Sequence, residues 1–225
     1  MTRGKLVVVE GIDGAGKSDL VHGLAERLPQ LGIEVERVGR ILMPELMFLW
    51  NRLVSADAIT QRMAATLAAA DLIAGGNRRI EPALAAGRWV LVNSYVYTHR
   101  IRFGMRGVPK EELDALFSEF IQPDIIFHLR IPLAHALARI QPRGHLDMWS
   151  TGLDAQSPSI GTAWRQRRTV PLVEREAAFL SWQAQAQARF PAMLPPELTV
   201  NLPGEESTDS LVEAALAALE LPSHG

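Results

Sequence analysis

The chain contains no cysteine, which excludes disulfides, thiolate metal sites and a thiol nucleophile. Lysine is nearly absent too. Among 225 residues it occurs only at Lys5, Lys17 and Lys110, and arginine carries the remaining permanent positive charge. No apolar run approaches the roughly 20 residues of a membrane span. The stretch Leu6–Val9 near the N-terminus is too short for a signal peptide. A large charge of either sign is also missing, since the formal net charge is −2. These absences predict a cytoplasmic protein with no overall electrostatic pull toward nucleic acid or membrane.

The length fits one medium α/β domain spanning 1–225. Leu6–Val9 is a short β-branched run leading into a glycine-rich turn, the pattern of a buried parallel strand. Lys17–Leu28 follows with helical spacing of leucines, and Ile33–Val38 reads as a second strand. Pro44–Val54 and Ala56–Ala74 read as helices, the second closed by Gly75-Gly76. Strands are expected at Trp89–Val92, Ile125–Leu129 and Leu198–Leu202. Further helices are expected at 79–86, 110–121, 132–140, 169–193 and 208–219. From Gln141 to Thr162 the periodicity is lost, and a stretch rich in Gly, Ser, Pro and Asp predicts a mobile loop. Alternating strands and helices imply a parallel sheet covered on both faces.

The segment Gly11-Ile12-Asp13-Gly14-Ala15-Gly16-Lys17-Ser18 fits G-x-x-x-x-G-K-[ST] between a strand and a helix. Glycines let successive backbone N–H groups turn around a phosphate, and the helix N-terminus adds partial positive charge. Lys17 is placed to reach the β- and γ-phosphates, and the Ser18 hydroxyl to hold Mg2+. Asp19 completes the segment. The guanine-reading N-K-x-D is absent, which favours ATP. Asp13 either faces an acceptor or caps the loop locally.

Glu10–Ser18, with Asp13 inside the loop, resembles the start of a thymidylate kinase. Ala70-Asp71-Leu72 sits where that family has A-D-R. Ile80–Leu91 is similar to its I-x-P-A-L-x-x-G-x-x-V approach to a strand, and Asn93-Ser94-Tyr95 stands in place of D-R-Y. Pro123–Leu129 and Leu137-Ala138-Arg139 are similar to its P-D-x-x-x-x-L and L-x-R, and Phe179–Phe190 to its last long helix. The resemblance implies a P-loop NTPase fold with a five-stranded parallel sheet, helices on both faces and a lid roughly over 141–168. It also implies a kinase using ATP and Mg2+, and a homodimer formed through Ala/Leu-rich helices.

In that family, arginines of A-D-R and D-R-Y, with one on the loop after strand two, bind the acceptor's phosphate. Here two of the three positions are Leu72 and Ser94, with Arg40 near the third. Each lost charge-assisted contact costs about 1.5–3 kcal/mol. The acceptor expected is therefore a nucleotide or other small molecule, not dTMP bound in the usual way. Either Arg100, Arg102 or Arg106 is recruited, or the acceptor carries no phosphate. The acceptor-side residues are accordingly Asp13, Arg40, Leu72, Asn93, Tyr95 and Arg100. Asn93 replaces a carboxylate that usually helps hold magnesium, so metal affinity is expected to fall. A divergent dTMP kinase and a non-catalytic ATP-binding protein stand as alternatives.

Transition-state charge in phosphoryl transfer calls for a cation that Ala15 does not supply. The resemblance assigns Arg139 and Arg143 to a lid closing over ATP. Arg165, Arg167 and Arg168 read individually as a solvated basic stretch. His99, His128 and His145 have no metal-ligand spacing and read as packing or surface residues. Trp149, Trp164 and Phe103 are aromatic candidates for covering a planar acceptor, with core packing the alternative.

Overall fold

The β-branched run expected to be a buried strand forms the middle of the sheet. The computed structural model describes residues 3–39, 43–143, 146–157, 159–166, 169–219 and 221. Strand β1 (Leu6–Gly11) is wholly buried. It pairs in parallel with β3 (Trp89–Asn93) on one side and β4 (Ile125–Arg130) on the other. Outside these lie β2 (Val35–Val38) and β5 (Thr199–Pro203), giving the order β2-β3-β1-β4-β5, all parallel. Leu6, Val7, Val8 and Val9 are fully enclosed, as expected for strands with helices on both faces. The register puts Val9 beside Asn93 and Gly11 beside Leu129, so the carboxyl ends of three strands meet at one place. Open α/β sheets bind ligands at that edge.

The helices, in chain order, are α1 (Lys17–Gln30), α2 (Pro44–Ser55), α3 (Gln61–Gly75), α4 (Glu81–Ala85), α5 (Val96–Met105) and α6 (Lys110–Leu116). They continue with α7 (Leu133–Ile140), α8 (Met148–Thr151), α9 (Ile160–Gln166), α10 (Leu172–Met193) and α11 (Thr208–Ala218). Several differ from the sequence reading. Helix α3 starts later than Ala56, because Asp57 is left-handed (φ 56°) and Thr60 caps the N-terminus by accepting from the Met63 N–H. Its glycine pair does not stop it. Gly75 and Gly76 are both right-handed helical, and the chain runs through a π turn (Gly76–Ile80) into α4. A Cβ on Gly76 would lie 3.4 Å from Ile121 Cδ1, so glycine here serves close packing.

The segment Val96–Met105, for which no helix is expected from the sequence, is helix α5. The stretch Gln141–Thr162 is not a featureless loop either. It holds a 3-10 turn (Gln141–Arg143), α8, a second 3-10 turn (Leu153–Gln156) and the start of α9. Leu146, Met148, Ser150, Thr151, Asp154 and Ile160 are all buried in it. Short helices escape periodicity because four to seven residues show too few turns for an apolar stripe. The long helix α10 packs against α5, α7 and α8, which fixes this segment beside the sheet edge.

Candidate active site

The turn from β1 to α1 forms a phosphate-sized cradle. Gly14 and Gly16 have φ of 85° and 93°, backbone states an L side chain avoids. A Cβ on Gly14 would lie 2.4 Å from Ala136 O, so α7 sits directly on the loop. A Cβ on Gly16 would lie 3.4 Å from Arg139 Nη1, which places that guanidinium beside the loop. Arg139 Nη1 is held by Gly204 O at 2.7 Å. Lys17 folds back over the turn, donating to Gly11 O at 2.9 Å and Ile12 O at 2.8 Å. A cavity of about 500 Å³ and one of about 340 Å³ adjoin here; the smaller is lined by Asp13–Asp19, Asn93, Ser94, Asp147 and Trp149.

The end of β3 borders the same cavity. Asn93 Nδ2 donates to Ser18 Oγ at 2.7 Å, and the Ser94 hydroxyl donates to Asn93 Oδ1 at 3.3 Å. Ser94 is buried and left-handed at φ 63°. That is a costly state for a non-glycine residue and one that clusters at functional sites.

Glu10 anchors the start of α5. It is fully buried and accepts from the N–H groups of Tyr95 (3.0 Å) and Thr98 (3.3 Å) and from the Thr98 hydroxyl. Those amides belong to the first turn of α5, so a carboxylate from β1 satisfies the orphan donors of a distant helix. Burial raises the Glu10 pKa to about 7, against the opposing pull of these hydrogen bonds and of Lys17. No sequence spacing between positions 10 and 95 announces this contact.

Helix α5, held in this way, carries Arg102 to the loop. Arg102 Nη2 donates to Asp13 Oδ1 at 2.5 Å, and Gln183 of α10 donates to the other carboxylate oxygen at 3.4 Å. The Gln183 amide oxygen in turn accepts from the Asp13 N–H at 3.2 Å. Behind them lies the larger cavity, walled by Trp50, Val54, Leu67, Phe103, Trp149 and Trp164, with Asp71, His99 and Arg102 among its polar edges. Trp149 meets the rings of Phe103 and Trp50 edge-on at centroid distances of 5.6 and 6.0 Å.

The structure brings Asp13, Lys17, Ser18, Asn93 and Arg139 together. It also puts Phe103, Trp149 and Trp164 on the larger cavity. Three other expected acceptor residues are placed elsewhere. Leu72 and Tyr95 are buried and line neither cavity, while Arg100 is paired with Asp114. The reason is helical phase: side chains two apart on α5 point to different sides, so Arg100 turns toward α6 while Arg102 turns inward. His99 joins the cavity wall stacked between Phe103 and Phe117. His128 is a core residue beside Asn201, its pKa lowered chiefly by burial. Arg40, His145, Arg167 and Arg168 lie outside the described residues, as does the side chain of Arg143. Sequence reasoning missed Glu10, Gln183 and Asp154, polar residues whose partners are remote in the chain.

Comparison with known proteins identifies the family. A family model described as thymidylate kinase matches residues 9–151. A thymidylate kinase of Akkermansia muciniphila is 32% identical over 154 residues, 66% of this chain and 73% of the relative. A probable thymidylate kinase of Pyrococcus abyssi is 30% identical over 162 residues, 68% of this chain and 78% of the relative. One from Xanthomonas campestris pv. campestris is 34% identical over 147 residues, 63% and 62% of the two chains. The matched span holds the phosphate loop, the Asn93-Ser94-Tyr95 turn and α8, and the chain belongs to the thymidylate kinase family of ATP-dependent phosphotransferases.

Proposed function

We propose that this chain transfers the γ-phosphoryl group of ATP to an acceptor in the larger cavity, and that the acceptor is not dTMP held in the family's usual way. The observation that carries this is that two cavities adjoin at Asp147 and Trp149, one lined by the phosphate loop and the other an apolar chamber, with Asp13 of the first bonded to Arg102 of the second. Inward-facing backbone N–H groups, the α1 N-terminus and Lys17 would take up the polyphosphate. To do so, the Lys17 ammonium exchanges its two carbonyl partners for phosphate oxygens. Arg139, beside Gly16, adds charge where the transition state needs it.

The donors present fit magnesium bound as its triphosphate complex. Ser18 offers a hydroxyl and Asn93 an amide oxygen, and Mg2+ accepts few protein ligands when phosphates and waters complete its octahedron. When bound, the ion neutralises charge on the β- and γ-oxygens. Asp13 is fixed by Arg102 and Gln183 at the border of the cavities, where it orients the attacking group of the acceptor. The uncharged Leu72 and Ser94 support an acceptor held differently. Exposed Phe48 and Leu49 on α2, with Met63 on α3, support self-association through these helices, which solution mass would test.

ADP release measured with dTMP and with a panel of nucleotides, nucleosides and other small alcohols and acids tests the proposal. Turnover of a panel member well above that of dTMP is the expected result. Robust turnover of dTMP would instead favour the second reading, a divergent dTMP kinase, which the names of the relatives support.

A further inference from the structure

Three arginines follow the strand end at which the family arginine is replaced by Ser94, and the structure separates their roles. Arg100 is engaged by Asp114. Arg106 is saturated: Nε and Nη2 bind the Asp154 carboxylate at 2.8 Å each, Nη2 also binds Trp149 O, and Nη1 binds Arg102 O. Its guanidinium lies between the rings of Trp149 and Trp182, 3.9 and 4.9 Å from their centroids.

Arg102 is different. It lies in the wall of the larger cavity with 9% of its side chain exposed. Among the described residues its guanidinium makes one hydrogen bond, Nη2 to Asp13. A guanidinium has five N–H donors, and enclosing a cation with most of them unpaired is unfavourable unless a ligand supplies acceptors. The carboxylates around the cavity already have partners. Asp154 binds Arg106, Asp147 caps α8 through the Ser150 N–H, and Asp71 accepts from the Met43 N–H. Glu10 fixes the first turn of α5, so the guanidinium is held at the cavity wall by the helix that bears it.

We propose that Arg102 is the acceptor's anion-binding residue. The acceptor then carries an oxyanion, a phosphate monoester or a carboxylate, that docks on the unused edge of the guanidinium, with its apolar part among Trp50, Phe103 and Trp149. The planar donor fork suits either group in bidentate fashion. This inference rests on the larger cavity being the acceptor site. It shifts the charged anchor from the strand end at position 94 into the body of α5.

Calorimetric titration with the phosphate loop filled by AMP-PNP and Mg2+ tests it. The probes are anion and neutral twins: dTMP with thymidine, AMP with adenosine, and indole-3-acetate with indole-3-acetamide. At least one anion should bind at least tenfold more tightly than its twin, and the pair showing it distinguishes phosphate from carboxylate. Arg102→Gln should erase that advantage and Arg102→Lys should keep part of it, each variant checked for fold by far-ultraviolet circular dichroism. A residue that merely positions Asp13 would weaken both twins alike. That result, equal binding of all twins, or no binding by any, overturns the inference while leaving AMP-PNP uptake, and hence the phosphate-loop reading, intact. Failure of AMP-PNP itself to bind overturns both.

Discussion

Asn93 donates its amide N–H to Ser18 Oγ at 2.7 Å, so strand β3 meets the first turn of α1 at a neutral group. A carboxylate there would bring a full negative charge toward the metal. Asn93→Asp should lower the Mg2+ concentration that half-saturates turnover, by about tenfold, because ligand charge count is a main determinant of divalent-cation affinity. Steady-state rates against free Mg2+ at saturating ATP give the comparison, and an unchanged midpoint would contradict it.

Glu10 makes stability depend on pH in a defined direction. Its pKa is raised from 4.5 to about 7 by burial, so between those values the folded state holds a proton that the unfolded chain has lost. The stabilisation is complete below about 4.5 and disappears as pH rises through about 7. At 1.36 kcal/mol per unit, the change is roughly 3 kcal/mol. Denaturant unfolding of the parent and of Glu10→Gln from pH 4.5 to 8 should show the gap between them shifting against the parent as pH rises.

Removing one member of the Arg106–Asp154 pair should cost more than removing both. The two side chains are 0% and 1% exposed, and stranding one buried charge costs about 3–5 kcal/mol. Asp154→Ala should therefore lower Tm by roughly 10 °C at the usual 2–4 °C per kcal/mol for this size. Arg106→Met combined with Asp154→Leu should recover most of the loss in calorimetry.

Asp57 latches α9 onto the corner between α2 and α3. It accepts from Ser159 and from Thr162 and Arg165, the latter two at 2.9 and 2.7 Å. The Ser159 hydroxyl and then Arg165 pull its pKa down to about 2. The latch is thus charged above pH 4 and is lost only as pH falls through about 2. Asp57→Asn preserves a residue that tolerates the left-handed backbone yet removes the charge. Amide exchange in 160–166 should quicken several-fold at neutral pH, with α1 unaffected.

The sheet and the phosphate loop were legible because each rests on local signals. Four β-branched or leucine residues in a row announce a strand, and glycine spacing announces the turn. Helix α5 was not legible. Val96, Tyr97, Thr98 and Ile101 are poor helix formers, and the group that starts the helix is a carboxylate 85 residues upstream of Tyr95. Arg102 was therefore visible as a candidate beside Arg100 and Arg106, while the choice among them waited on helical phase. The covering segment hid for a similar reason: its order comes from Asp154 and Asp57, whose partners lie on distant elements.

Trp149 and Asp147 border both cavities, which makes α8 a party wall between two tenants. Any shift that one ligand imposes on it is felt in the other's room, and thermodynamic reciprocity requires the effect to run equally in both directions. On the proposed assignment of the two cavities, occupancy by triphosphate and by acceptor would be tied through one short helix, with the Trp149 indole as the shared partition.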